Sequence, residues 1–222
     1  MTASALDAPG DLPSAPLVVA AIQATPTPGD VAGNAALAAR LVGQAAEAGA
    51  ALAVLPELFL SAYHPPTLLA DPNTDLPARG GGRVEDPRLE PLSSAAREHA
   101  IAVVVGAAVR HPDGRRTCAA VVVSRGGEVR AAYAKQHLWG NHERALFTPG
   151  RAGATLVVDD WQLGLGVCYD GCFPEHARAA AVAGAHGYLC PSGYVVGSAV
   201  ARTMRIRSTA PARSLRPHLA GA

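Results

Sequence analysis

The stretch "ATLVVDDWQLGLGVCYDGCFPEHARAAAVAG", residues 154–184, decides the fold class. Short apolar runs on either side of Asp159-Asp160 predict two strands around a tight turn. The run "PEHARAAAVAG" (174–184) follows, with Pro at its first position and Gly at its end, the punctuation of a helix. Between strand and helix lies "CYDGC", a polar turn that opens on Cys168. Strand, strand, turn and helix in one short span is the grammar of an α/β protein.

The same grammar extends in both directions. Downstream, "GYLCPS" (187–192) reads as another short strand. Upstream, strands are predicted over 101–109, 118–123 and 128–133, with "HPDGRR" and "RGG" as the hairpin turns between them. Nearer the N-terminus, "LVVAAIQA" (17–24) and "ALAVLPEL" (51–58) read as buried strands. A helix lies between them, started at Asp30 or Asn34 and closed at Gly49. Its stripe is Leu37, Leu41 and Ala45 beside Ala38, Val42 and Ala46. Residues 64–90, rich in Pro, Gly and Asp, read as a long surface loop, and "PLSSAAREHA" (91–100) as a short helix. The sum is α/β with a mixed sheet and no internal repeat.

Composition narrows the function. A chain of 222 residues fits one ordinary domain with a substantial core. With 49% apolar residues, 17% charged residues and a net charge of +1, it lacks the basic excess of a nucleic-acid binder. No window approaches the roughly 20 apolar residues that cross a bilayer. Residues 1–16 have neither a positive n-region nor an apolar h-region and read as a disordered lead, so the cytoplasm is the default compartment. In that compartment Cys118, Cys168, Cys172 and Cys190 are expected as buried hydrophobes or reactive thiols rather than a disulfide framework.

Four polar residues stand out. Glu57 ends the strand "ALAVLPEL" and is either partly buried, which requires a partner, or turned to solvent. Lys135 follows the strand "EVRAAYA" and is the single lysine beside eighteen arginines. A lone lysine is ordinarily a solvated one. Yet a composition that uses Arg for positive charge keeps one Lys where a compact, tunable ammonium is needed. Cys168 ends "QLGLGVC" at the rim where α/β sheets build their sites. Cys118 and Cys190, within or at the end of apolar runs, read as inert core residues. Glu143 sits in a loop with His, Asn and Trp and is unremarkable alone. Three of the four stand at strand ends of what reads as one sheet. Together they are what thiol acyl transfer uses: a base, a cation for the oxyanion and a nucleophile.

Other patterns are weaker. Cys168, Cys172 and His176 imitate zinc spacing loosely, without the paired ligands of a structural site. "GGGR" (80–83) lacks the lysine and helix of a phosphate loop, and neither GxSxG nor HExxH occurs.

At this point the residues resemble the nitrilase, or carbon-nitrogen hydrolase, superfamily. The resemblance runs over about 17–198 and rests on "VVAAIQATPTPGDVAGN", "LAVLPELFLSAY", "YAKQHLWGNHERALFTPG", "GLGVCYDGCFPE" and "YLCPSGYVVGS". It implies an αββα sandwich subunit that pairs with another copy into a homo-oligomer. It also implies Glu57 as general base, Lys135 as oxyanion stabiliser and Cys168 as nucleophile, with Glu143 and Tyr169 at the substrate. No metal or cofactor is implied. Cys168-Tyr169-Asp170 with Phe173-Pro174-Glu175 is more like the amidases than the nitrile-acting members. The expected substrate is thus a small linear amide, then an N-carbamoyl compound, then a nitrile.

The C-terminus departs from the resemblance. Residues 199–222 contain five Arg and no acidic residue, with neither a helical nor a strand period. They read either as an out-of-frame replacement for the family's C-terminal strands and helix or as a genuine basic tail. An inactive remnant or a binding protein is therefore a second functional class, and an acyltransferase with an amine acceptor a third.

Overall fold

A computed structural model describes residues 12–193 of the chain, so the tail 199–222 lies outside the described residues. Two sheets, not one mixed sheet, form the body. The larger has the order β1-β2-β4-β5-β6, with β3 also on β4, and the smaller has the order β7-β8-β9. Its strands are β1 (Val19–Ala21), β2 (Leu52–Val54), β3 (Asp75–Pro77), β4 (Ala102–Arg110), β5 (Arg116–Val123) and β6 (Val129–Ala134). The smaller sheet holds β7 (Ala154–Val158), β8 (Trp161–Leu165) and β9 (Gly187–Leu189).

The period of two along β4 explains the layering. Val103, Val105, Ala107 and Val109 join a core with Ala35, Ala38 and Val42 of α1 (Val31–Glu47) and Leu92 and Ala96 of α3 (Glu90–Glu98). Ala102, Val104 and Ala108 face the other way. They join a second core with Leu163 and Leu165 of the smaller sheet and with Val167 just past it. On the far side of that sheet α5 (Pro174–Val182) lies against β8, where a Cβ on Gly164 would come within 2.6 Å of Ala180. The result is an αββα sandwich. Asp30 starts α1 as expected, its Oδ1 accepting from the Gly33 N–H at 2.9 Å.

Two expectations need correction. The stretch 17–24 is not a buried strand. β1 is three residues long, and Val18 and Val19 are 51% and 41% exposed, because β1 stands at the end of the sheet order with β2 as its neighbour. Nor is 64–90 a bare loop. It holds α2 (Pro65–Ala70), capped by His64, and β3, which lies parallel to β4 with Leu76 fully buried. Pro at the first turn of α2 reads as a loop in sequence and as a helix start in space. Asp75 is anchored by Arg110 at 2.8 Å and Arg116 at 2.7 Å, a pairing no local pattern announces.

The interruption between β2 and β3 positions a functional side chain. Both strands run along the same edge of β4, registered at Leu52↔Ala102 and Asp75↔Ala108. Between them Pro56–Leu58 arches over Gly106, whose N–H donates to the Pro56 carbonyl at 3.1 Å. A Cβ on Gly106 would lie 2.2 Å from the Leu58 nitrogen, so only glycine lets the arch lie this close. Glu57 sits at the top of that arch.

Candidate active site

Glu57 is 2% exposed, which resolves the open alternative in favour of burial. Lys135 is fully buried and Glu143 is 1% exposed. The Lys135 Nζ donates to Glu57 Oε1 at 2.6 Å and to Glu143 Oε1 at 2.9 Å, so one ammonium bridges two carboxylates. The backbone fixes it there: the Lys135 N–H donates to the Cys118 carbonyl at 2.8 Å, one step beyond the β5–β6 ladder, and its carbonyl accepts from Gly150 at 2.8 Å. The expected loop around Glu143 is a helix, α4 (Gly140–Leu146). Glu143 also accepts from the Tyr63 hydroxyl at 2.7 Å and the Trp139 N–H at 2.8 Å, so both of its oxygens are held.

Cys168 comes from the other sheet. The three strand-end residues therefore do not share one sheet: Glu57 and Lys135 leave the larger one, and Cys168 leaves β8 of the smaller. Its φ of +46° places a non-glycine residue in the left-handed region, a strained turn of the kind that holds nucleophiles clear of a sheet. The Cys168 N–H donates to the Pro191 carbonyl at 3.0 Å and so continues the β8–β9 pairing.

Electrostatics couple the groups. Burial raises the Glu57 carboxyl above its ordinary value, Lys135 opposes that, and the Glu143 charge adds to it. For Lys135, burial alone would lower the pKa, but the Glu57 and Glu143 charges outweigh it and hold the ammonium protonated. Burial and then the Glu57 charge raise the Cys168 thiol, while Lys135 and the Gly193 N–H favour its thiolate. On balance the Cys168 thiol is held above its ordinary value.

Tyr169 follows Cys168 in the same turn. Its ring meets Phe173 edge-on at 5.1 Å, and both line a surface cavity of about 450 Å³ with His137, Arg144 and Phe147.

Sequence reasoning passed over Asp170, whose acidic side chain is completely buried. Its Oδ2 accepts from the Val167 N–H at 2.9 Å and the Tyr133 hydroxyl at 2.7 Å. Its Oδ1 accepts from the N–H and the Nδ1 of His137, each at 2.8 Å. One carboxyl thus ties the Cys168 turn to the chain just past Lys135. The position was readable two residues after Cys168, but a turn-forming Asp is ordinarily solvated.

His137, Asp170 and His176 have ligand atoms within 4.8 Å of one another, the closest approach to a metal site among the described residues. Those atoms are already paired. His176 meets the Tyr133 hydroxyl through Nε2 and the Tyr188 hydroxyl through Nδ1, each at 2.8 Å. The set works as a hydrogen-bonded clasp, and the Cys168–Cys172–His176 spacing weighed in the sequence is not what converges here.

An αββα sandwich thus gathers a thiol, an ammonium and two buried carboxyls between its sheets. The sequence model of the carbon-nitrogen hydrolases matches residues 18–213, and the chain belongs to that family. It is 33% identical over 195 residues to a hydrolase of Pseudomonas protegens, covering 86% of this chain and 65% of that protein. It is 30% identical over 168 residues to the deaminated glutathione amidase of Escherichia coli O157:H7, covering 74% and 61%. A solved structure of a double mutant of the amidase from Nesterenkonia sp. AN1, in complex with acrylamide, superposes with a TM-score of 0.72 at 31% identity. That match covers 88% of this chain and 72% of that one. The chain spans slightly less than two thirds of the length of the first two relatives. No helix among the described residues is long and apolar enough to cross a membrane.

Proposed function

We propose that residues 17–198 form a thiol amidohydrolase that cleaves the C–N bond of a small linear amide. The observation that carries this reading is the buried ammonium of Lys135 held between Glu57 and Glu143, with the strained Cys168 turn brought against Glu57 from the opposite sheet. Burial of two carboxylates and an ammonium is costly and is characteristic of a functional site rather than of stability.

In this reading Glu57 accepts the Cys168 proton as the sulfur adds to the amide carbonyl. Lys135 and a backbone N–H, for which Gly193 is placed beside the thiol, stabilise the oxyanion. Glu57 returns the proton to the leaving nitrogen, the C–N bond breaks, and ammonia departs. Water, deprotonated by Glu57, then attacks the thioester, and its proton restores the thiol as the carboxylic acid leaves. Glu143 keeps Lys135 aimed at the oxyanion and borders the substrate with Tyr169. The sequence as written uses no metal or cofactor. The Nesterenkonia relative supports a cysteine nucleophile. Another of its structures, 34% identical with a TM-score of 0.67, covering 79% of this chain and 66% of that one, shows Michael addition of acrylamide at that protein's active-site cysteine.

The test is ammonia release from a panel of linear amides, N-carbamoyl compounds and nitriles, with Cys168→Ala beside the unaltered chain. Release that vanishes in the variant is the expected result, and the best substrate assigns the branch. Folded protein that releases nothing across the panel overturns the reading in favour of a non-catalytic remnant.

A further inference from the structure

The sequence treats Cys118 as inert filler, but the structure sets it against the charge array. Its Sγ lies 3.7 Å from Glu57 Oε1, the same oxygen that accepts from Lys135, within reach of a sulfur hydrogen bond. Cys118 is 1% exposed in the middle of β5, registered against Ala108 of β4, so the thiol has little room to turn elsewhere. Burial and then the Glu57 charge raise its pKa well above the ordinary thiol value. As an S–H it can only donate to the carboxylate oxygen it faces. Glu57 Oε2, by contrast, has no hydrogen-bond partner among the described residues and faces Gly193, where a Cβ would come within 3.6 Å.

The two oxygens are thus divided. Oε1 is held by Lys135 and Cys118, and Oε2 is left to receive a proton. We infer that Cys118 is a positioning residue for the base, its S–H donating to Glu57 Oε1 so that Oε2 stays turned toward Gly193, whose N–H lies beside the Cys168 thiol. A donor to the charged form also favours it, so Cys118 tempers the rise that burial imposes on Glu57. The groups facing Glu57 are Lys135 after β6, Glu143 in α4, Cys168 after β8, Cys118 in β5, and Tyr63 and Cys190 further out. Of the acidic hydrogens among them, those of Lys135 and Cys118 are directed at the oxygen the reaction does not use.

The inference rests on Glu57 acting as base to Cys168, so its test separates the two. The rate of alkylation of Cys168 by iodoacetamide is measured against pH by peptide mass spectrometry, which needs no knowledge of the substrate. The full chain is compared with Cys118→Ala, Cys118→Val, Cys118→Ser and Glu57→Gln. If Glu57 is the base, the unaltered chain shows an acid limb that Glu57→Gln abolishes. If Cys118 orients it, Cys118→Ala and Cys118→Val move that limb to higher pH and slow the plateau about tenfold, while Cys118→Ser restores both. Val and Ser together separate loss of the donor from loss of packing, which lowers the melting temperature without moving the limb. An unmoved limb in both apolar variants, or a Ser variant that behaves like Ala, overturns the role of Cys118 alone. A limb unaffected by Glu57→Gln overturns the underlying reading as well.

Discussion

The two sheets contribute to one site in different ways. The larger sheet supplies Glu57 and Lys135 from a deeply packed body: every residue of β5 and all but the last of β4 are buried, and both side chains are shut away from solvent. The smaller sheet supplies Cys168 from a thin layer. All three residues of β9 are only partly buried, and α5 buries His176 alone. The charges are fixed by a core, whereas the Cys168 thiol is fixed by a few specific ties. In the proposed reaction, electrostatic preorganisation would belong to the first half and delivery of the thiol to the second.

The largest break in this comparison is the removal of the ammonium. Lys135→Met leaves two buried carboxylates without their cation. It should cost about 3–5 kcal/mol of stability and lower kcat/KM by about a hundredfold or more. Thermal unfolding and steady-state kinetics check both. Lys135→Arg is the sharper variant, because it keeps the charge. A guanidinium does not fit a fully enclosed position held at 2.6 and 2.9 Å, so activity should fall here too. Activity retained by Arg would show that charge alone suffices.

Next in size is the buried tie between the halves. Asp170→Asn replaces an acceptor by a donor where every neighbour already donates, and should cost about 3 kcal/mol. Its effect should fall on the smaller half. Amide exchange in β8 and β9 should accelerate while β4 and β5 keep their protection. Uniform acceleration would mean that the two halves open together and that the contrast drawn above is wrong.

These ties mark where the sequence was legible and where it was not. The apolar run of β4 and the caps around α1 are local patterns, and both elements appear where the pattern put them. Glu57, Lys135 and Cys168 were each visible as a polar residue closing an apolar strand. That they come from two sheets was not visible, because short apolar runs do not say which partner they pair with. Cys118 and Asp170 were overlooked for the same reason. A thiol in a strand and an Asp in a turn look ordinary until a distant residue is brought against them. The helix around Glu143 was hidden by its Gly140 start and its brevity.

A smaller effect concerns pH, and here stability and activity should diverge. Burial raises the Glu57 carboxyl above its unfolded value near 4.5, so the folded chain holds that proton more tightly than the unfolded chain. Its contribution favours folding below the unfolded value and is lost as pH rises through the folded one. The stability of the unaltered chain should therefore match that of Glu57→Gln in acid and fall below it as pH rises. Alkylation of Cys168, which in the proposed mechanism needs Glu57 ionised, should rise over the same interval. Parallel curves would mean that the carboxyl is not held above its ordinary value.

The smallest effect belongs to a second link between the same two sheets. Arg125, in the β5–β6 turn, meets Asp159, in the β7–β8 turn, through two bonds of 2.6 and 3.0 Å. The geometry is bidentate, as good on paper as anything Asp170 makes. But the two side chains are 39% and 51% exposed, so water competes for both partners and salt screens them. Arg125→Ala should leave the melting temperature, the β8 and β9 exchange rates and the Cys168 alkylation profile where they are. A loss comparable to that of Asp170→Asn would show that the rim of the sandwich, rather than the buried carboxyl beside Cys168, holds the nucleophile half in place.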